Sequence, residues 1–287
     1  MSSTKKFNVY QMVTERVISM LEQGHIPWEK AWTGSNGAWS RATGKNYSIL
    51  NQILLGEAGE YATAKQIMDE GGTVKGLKAR QVVFFKRVDV EVDGENGEKV
   101  VKQIPFLRYS NVFRVQDCGL EPKYNKVEGE SIIDTDEYLE GVKFDYISNR
   151  SNNLTFVENN GEQACYNPLM HKVEVPKKEC FSKQAEYYST LFHELAHSTG
   201  HSTLLDRGLG SLENFGSDNY SREELVAELT SASILANAGV ETESSFRNTT
   251  AYIESWISAL KNDNRMLVWA SSRADKAYNL IMGVEAE

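Results

Sequence analysis

Three residues within LFHELAH (191–197) have the types and spacing to activate water with a metal ion. His193 and His197 lie four residues apart, so on a helix they share one face and their ring nitrogens can meet on one cation. Glu194 follows the first histidine, where its carboxylate can reach water beside that cation. A zinc-type ion lowers the pKa of such water from about 16 to about 7. Glu194 is then the general base: it takes the proton as water attacks a carbonyl and later returns it to the leaving group. This pattern also arises by chance on helices. Its setting argues for a site, because three of the chain's five histidines (His193, His197, His201) fall within nine residues and the flanks are apolar.

A catalytic zinc site generally takes three protein ligands and leaves one position open. HELAHSTG matches the opening of the metzincin pattern as far as Gly200, but position 203, where that pattern needs histidine, is Thr203. His201 comes too early and reads as a group near the metal, a substrate contact or a helix-end histidine. The other source is SREELVAELTSA, which offers Glu223, Glu224 and Glu228. Glu224 and Glu228 share a helix face at i,i+4, so one can ligate while the other hydrogen-bonds a ligand histidine. The plainer reading of Glu224 is a capping box begun by Ser221, and that of Glu228 is a solvated face. The apolar Leu225, Val226, Leu229 and Ala232 argue against solvation, since carboxylates beside a buried stripe need a partner. Tyr220, His201 and Arg207 are candidates for stabilising an oxyanion.

These groups need elements to hold them. The spacing predicts helices over 7–23, 48–58, 63–70 and 185–199, one starting near Ser221, and two more around 252–260 and 266–283. Thr63 and Gln66 form a capping-box pattern, with Gly71-Gly72 as the stop. Residues 80–92 and 99–115 are β-rich around the turn DGENGE, which reads as a hairpin. YNPLMHKVEVP reads as one strand closed by Pro176. The fold class expected is α+β in two domains: a small N-terminal α+β domain (1–118), an acidic linker (119–145) and a C-terminal domain (146–287) with a helical active site.

The 287 residues suit two domains, and 40% hydrophobic with 25% charged residues is ordinary globular composition. Cys118, Cys165 and Cys180 are far apart and odd in number, which argues against a disulfide framework and for a reducing cytoplasm. No apolar run approaches a membrane span, and Glu15 and Arg16 interrupt any signal-peptide pattern. A net charge of −9 argues against a general nucleic-acid sponge. That charge is uneven: residues 1–120 hold 16 basic and 13 acidic residues, residues 121–287 hold 15 and 27. Two surfaces with different partners follow.

Aromatics interleaved with cations suit single-stranded nucleic acid, because rings stack on bases and cations track phosphates. Trp28, Trp32, Arg41, Lys45 and Tyr47 have that mix, and Lys78 and Arg80 add cations near Phe84 and Phe85. The same aromatics equally suit the core of a small domain.

YYSTLFHELAHSTGH, YSREELVAEL and AYIESWISAL resemble the zincin-like domain of the ArdC anti-restriction family, which is carried on conjugative plasmids, integrative elements and phages. Pro27-Trp28, Trp32, Thr43-Gly44-Lys45, Tyr47, Asn51 and the Gly71-Gly72-x-Val74-x-Gly76 segment resemble its N-terminal domain. The resemblance implies single-stranded DNA binding by the first half. It implies a metallopeptidase site in the second, with Zn or another divalent metal such as Mn as cofactor. It also implies an unidentified protein substrate, such as a host defence component, and protection of incoming DNA from restriction. Glu224-Leu-Val-Ala-Glu228 is similar to the E-x-x-A-[DN] helices of other zincins, which favours Glu224 as ligand. Glu in place of the final Asp or Asn keeps Glu228 open. The alternative is a protein that shields single-stranded DNA without proteolysis and whose metal is structural. The intact Glu194 favours the enzyme, because a structural site has no need of it.

Overall fold

The computed structural model describes residues 8–28, 37–93, 98–124, 134–161, 163–209, 218–240 and 250–285. Helix α1 (Val9–Glu22) starts where the Asn8 side chain accepts from Tyr10 N at 3.0 Å. It buries Val13, Val17, Ile18 and Leu21 as a single stripe. Next come β1 (Ala38–Ser40), α2 (Ile49–Leu55), β2 (Gly59–Ala62) and α3 (Ala64–Asp69). The expected capping box opens α3: Thr63 Oγ1 accepts from Gln66 N, and the Gln66 side chain accepts from Thr63 N. The hairpin is β3 (Arg80–Asp93) with β4 (Lys99–Arg114), in unbroken antiparallel register. The first sheet runs β1-β2-β4-β3, with β1 and β2 parallel.

The second half adds α4 (Thr135–Asp145), β5 (Thr155–Asn159), β6 (Cys165–Asn167), β7 (Lys172–Pro176), α5 (Gln184–Ser198), α6 (Asp218–Asn237), α7 (Thr250–Asn262) and α8 (Met266–Met282). Its sheet runs β5-β7-β6, so β6 is an edge strand. The single strand expected over 166–176 is two strands: Asn167 Oδ1 accepts from Leu169 N and Met170 N and turns the chain between them. Residues 135–145, expected to lie in an acidic linker, form α4, whose Leu139 is fully buried among the residues of the second half.

The largest core is common to both halves. Val13, Val17 and Leu21 of α1 and Ile53 of α2 share it with Leu225 of α6, Trp256 of α7 and Leu267 of α8. A second core lies under the metal-motif helix, where Val173 and Val175 of β7 meet Leu191, Leu195 and Ala227. α5 is thus clamped between a sheet and α6, which fixes the side chains it presents. No helix among the described residues is long and apolar enough to cross a membrane.

Candidate metal centre

Leu191, Phe192, Leu195 and Ala196 are all fully buried, and this packing leaves His193 and His197 facing α6. Their Nε2 atoms lie 3.0 Å apart. Glu224 of α6 reaches both, with Oε2 3.4 Å from His193 Nε2 and Oε1 3.4 Å from His197 Nε2. Among the described residues, these three form the group of donors that could hold a metal ion. The spacing fits one. Ligand atoms about 2.0–2.1 Å from a tetrahedral ion sit about 3.3–3.4 Å apart. Adjacent ligands of an octahedral ion with about 2.1 Å bonds sit about 3.0 Å apart. The two imidazole nitrogens are 3.0 Å apart, each faces one oxygen of the Glu224 carboxylate at 3.4 Å, and one ligand atom from each residue lies within 4.8 Å of the others, a spacing close to that of ligands on a shared ion. The donor set, two imidazoles and a carboxylate, suits zinc and manganese alike.

The outer nitrogens of the two histidines also face carboxylates. His197 Nδ1 lies 3.1 Å from Glu223 Oε1 in hydrogen-bond geometry. His193 Nδ1 is 3.3 Å from Glu228 Oε1, within ionic range but off hydrogen-bond alignment. Burial works to lower the His197 pKa, yet hydrogen bonds to Glu223 and Glu224 carry it up to about 10. Burial likewise opposes ionisation of Glu224, but its contacts with His193 and His197 hold it well below the usual carboxylate range.

Arg207 completes this arrangement. It donates Nε to Glu223 Oε2 at 2.9 Å and Nη2 to Glu223 Oε1 at 2.6 Å. It also donates to Thr199 Oγ1 at 2.7 Å and to the Ala196 carbonyl at 2.8 Å. Gly200 permits this approach, since a Cβ there would stand 2.8 Å from the guanidinium and 2.7 Å from Leu209 Cδ1. Arg207, a candidate oxyanion group from sequence, is therefore occupied in holding Glu223. In the sequence Glu223 is one of three carboxylates on offer as third ligand, and nothing local marks it as the partner of His197 Nδ1. Its signal, an arginine in a preceding loop, becomes meaningful only once the loop folds back.

Glu194 is 3% exposed and lines a cleft of about 310 Å³ with His197, Glu223, Glu224 and Tyr220. The same cleft is lined by Ala164, Cys165, Tyr166 and Pro168, on and beside edge strand β6. Tyr220 is thus brought to the site. His201 is placed differently: its ring stacks on His171 at 4.0 Å between centroids, and its Nδ1 lies 2.8 Å from Thr203 Oγ1. Ser221 sits inside α6 rather than at its cap, which removes the capping-box reading of Glu224.

The N-terminal candidates separate into buried and exposed groups. Trp28 is 2% exposed and meets Trp256 edge-on at 5.2 Å, so it is core rather than a stacking platform. Arg41 is buried in ion pairs with Glu60 and Glu70. Arg80 pairs with Glu57 and donates to the Leu55 carbonyl at 2.6 Å. Both arginines brace the first sheet and neither is a free phosphate contact. Tyr47 is half-buried against Tyr61. Lys45 and Lys78 are exposed, and Trp32 lies outside the described residues.

Two family models match the chain: the N-terminal domain of anti-restriction factor ArdC over residues 7–113, and a zincin-like metallopeptidase over residues 148–273. DNA primase TraC of Escherichia coli is 29% identical over 300 residues, covering 96% of this chain but 27% of TraC. The chain thus spans about a quarter of that relative's length. An uncharacterised protein of Sinorhizobium fredii, y4eC, is 28% identical and is matched over 90% of its length and 94% of this chain. The metal-free crystal structure of antirestriction protein ArdC from plasmid R388 superposes with a TM-score of 0.74 at 30% identity, covering 97% of this chain and 98% of that one. Its Mn(II)-bound crystal structure gives 0.74 at 28% identity, with the same coverage. With an ArdC-type first domain, a zincin-like second domain and likeness to an ArdC structure over nearly its whole length, the chain belongs to the ArdC family of antirestriction proteins.

Proposed function

We propose that the second half is a metallopeptidase acting in anti-restriction, with a divalent ion, zinc or manganese, held by His193, His197 and Glu224. The observation that carries this reading is the convergence of those three side chains beside a buried Glu194 in one cleft. An ion held there supplies Lewis acidity and brings water into a range where a carboxylate can take its proton. Glu194 accepts that proton on a carboxylate oxygen and passes it to the departing amide nitrogen. Glu223 and Arg207 hold His197 with Nε2 directed at the centre. Tyr220, which lines the cleft, is the candidate for a donor to the developing oxyanion. Edge strand β6, which also lines the cleft, favours an extended peptide as substrate, since a strand edge pairs with extended chain.

The first half binds single-stranded DNA in this reading, which rests on its likeness to the ArdC N-terminal domain. The protein operates in the cytoplasm, where incoming DNA meets restriction enzymes, and cleaves a host protein there. The test is to incubate wild-type protein and Glu194→Gln, each loaded with Zn or Mn, with a peptide library from a host proteome. New termini should appear, by mass spectrometry, with wild type alone. Equal yields from both proteins, or none from either, would contradict the peptidase assignment.

A further inference from the structure

The β3–β4 hairpin runs well beyond Val83 and Leu107, the outermost of its buried residues. Past that point its register sorts side chains onto two faces, because directly paired residues point the same way. Phe84 pairs with Arg108, Lys86 with Phe106 and Val88 with Ile104. That face exposes Phe84 by 46%, Phe106 by 51% and Ile104 by 42%. Lys86 and Arg108 stand among them, and the Arg108 guanidinium lies 4.9 Å over the Phe106 ring. The acidic residues of β3, Asp89, Glu91 and Asp93, all fall on the opposite face.

Exposed aromatics on a projecting ribbon are a liability unless a partner covers them. Cations without carboxylates select an anionic partner, and exposed rings select one with flat faces to stack. Phe84 and Phe106 are diagonal neighbours across the strands, within reach of two successive unpaired bases. A duplex keeps its bases stacked inside and offers rings nothing comparable. We propose that this hairpin face, centred on Phe84, Phe106, Lys86 and Arg108, is the platform on which single-stranded DNA lies. The proposal rests on the single-stranded-DNA reading of the first half, and it moves the contact away from the buried Trp28 and Arg41 and from Arg80, which is paired with Glu57.

The test measures binding of a fluorescein-labelled oligothymidylate to the full chain by anisotropy. The proteins are wild type, Phe84→Ala/Phe106→Ala, Lys86→Ala/Arg108→Ala and, from the other face, Phe85→Ala. All these side chains are exposed, and circular dichroism checks that each variant is folded. The aromatic double variant should lose at least about tenfold in affinity, and Phe85→Ala less than about threefold. The cationic double variant should lower the salt slope by about one to two. Wild-type-like binding by both double variants overturns the platform while leaving DNA binding intact. Failure of wild type to bind the oligomer overturns the underlying reading as well. Equal binding of duplex and single strand contradicts the stacking argument. A wild-type dimer that these variants convert to monomers, with DNA affinity unchanged, shows the face to be an interface between copies instead.

Discussion

His197 donates through Nδ1 to Glu223 Oε1 across 3.1 Å, and that carboxylate is itself gripped by Arg207. In the neutral imidazole this contact keeps the proton on Nδ1, so Nε2 is the nitrogen that a metal would take in place of its proton. Removing a carboxylate that orients a ligand histidine typically weakens metal binding about 10–100-fold. We expect Glu223→Gln to show a loss of that size in chelator competition while remaining folded. An affinity within about twofold of wild type would mean that the contact orients nothing.

Glu224 approaches both histidine Nε2 atoms, whereas Glu228 approaches only His193 Nδ1. Glu224→Ala should therefore surrender its metal at chelator concentrations where Glu228→Ala retains it. Metal content by plasma mass spectrometry after dialysis decides the matter. Equal losses, or the reverse order, would move the ligand to Glu228.

Trp28 belongs to the core shared by both halves. Truncating such a ring costs about 3–5 kcal/mol. Urea unfolding of Trp28→Ala should show that loss, with oligothymidylate affinity of the folded protein unchanged. A stable variant with impaired DNA binding would reinstate Trp28 as a contact.

Asp275 on α8 accepts from Ile49 N at 2.9 Å, joining the two halves at the start of α2. Burial lifts its pKa to about 6 against the opposing Ile49 hydrogen bond. The folded protein thus holds this proton more tightly than the unfolded chain. The stability it contributes is fully present below about pH 4 and is lost as pH rises through 6. Asp275→Asn keeps an acceptor without the charge. It should exceed wild type in stability by about 1–3 kcal/mol at pH 7, the upper end being the full shift and the lower allowing for the α2 dipole. At pH 4 the two should match. Unfolding free energies that differ equally at both pH values would contradict this.

What was legible in the sequence was local. His193 and His197 meet because a helix places residues four apart on one face, and Thr63 and Gln66 cap α3 from three residues apart. The hairpin follows from its β-branched and aromatic runs. What escaped depends on residues distant in the chain. Trp28 reads as a nucleic-acid contact until Trp256 arrives beside it. Arg41 reads as a phosphate ligand until Glu60 and Glu70 surround it. Glu223 and Glu224 are adjacent in sequence, but α6 turns one towards His197 Nδ1 and Arg207 and the other towards both Nε2 atoms.

In the proposed mechanism Glu194, beside the metal group, does the chemistry on which protection depends. The most direct measurement is restriction of unmodified incoming DNA in cells making wild-type protein or Glu194→Gln at equal levels. Wild type alone should protect, while the variant should still bind metal and single-stranded DNA. Equal protection by both would contradict it and assign the function to DNA shielding by the first half.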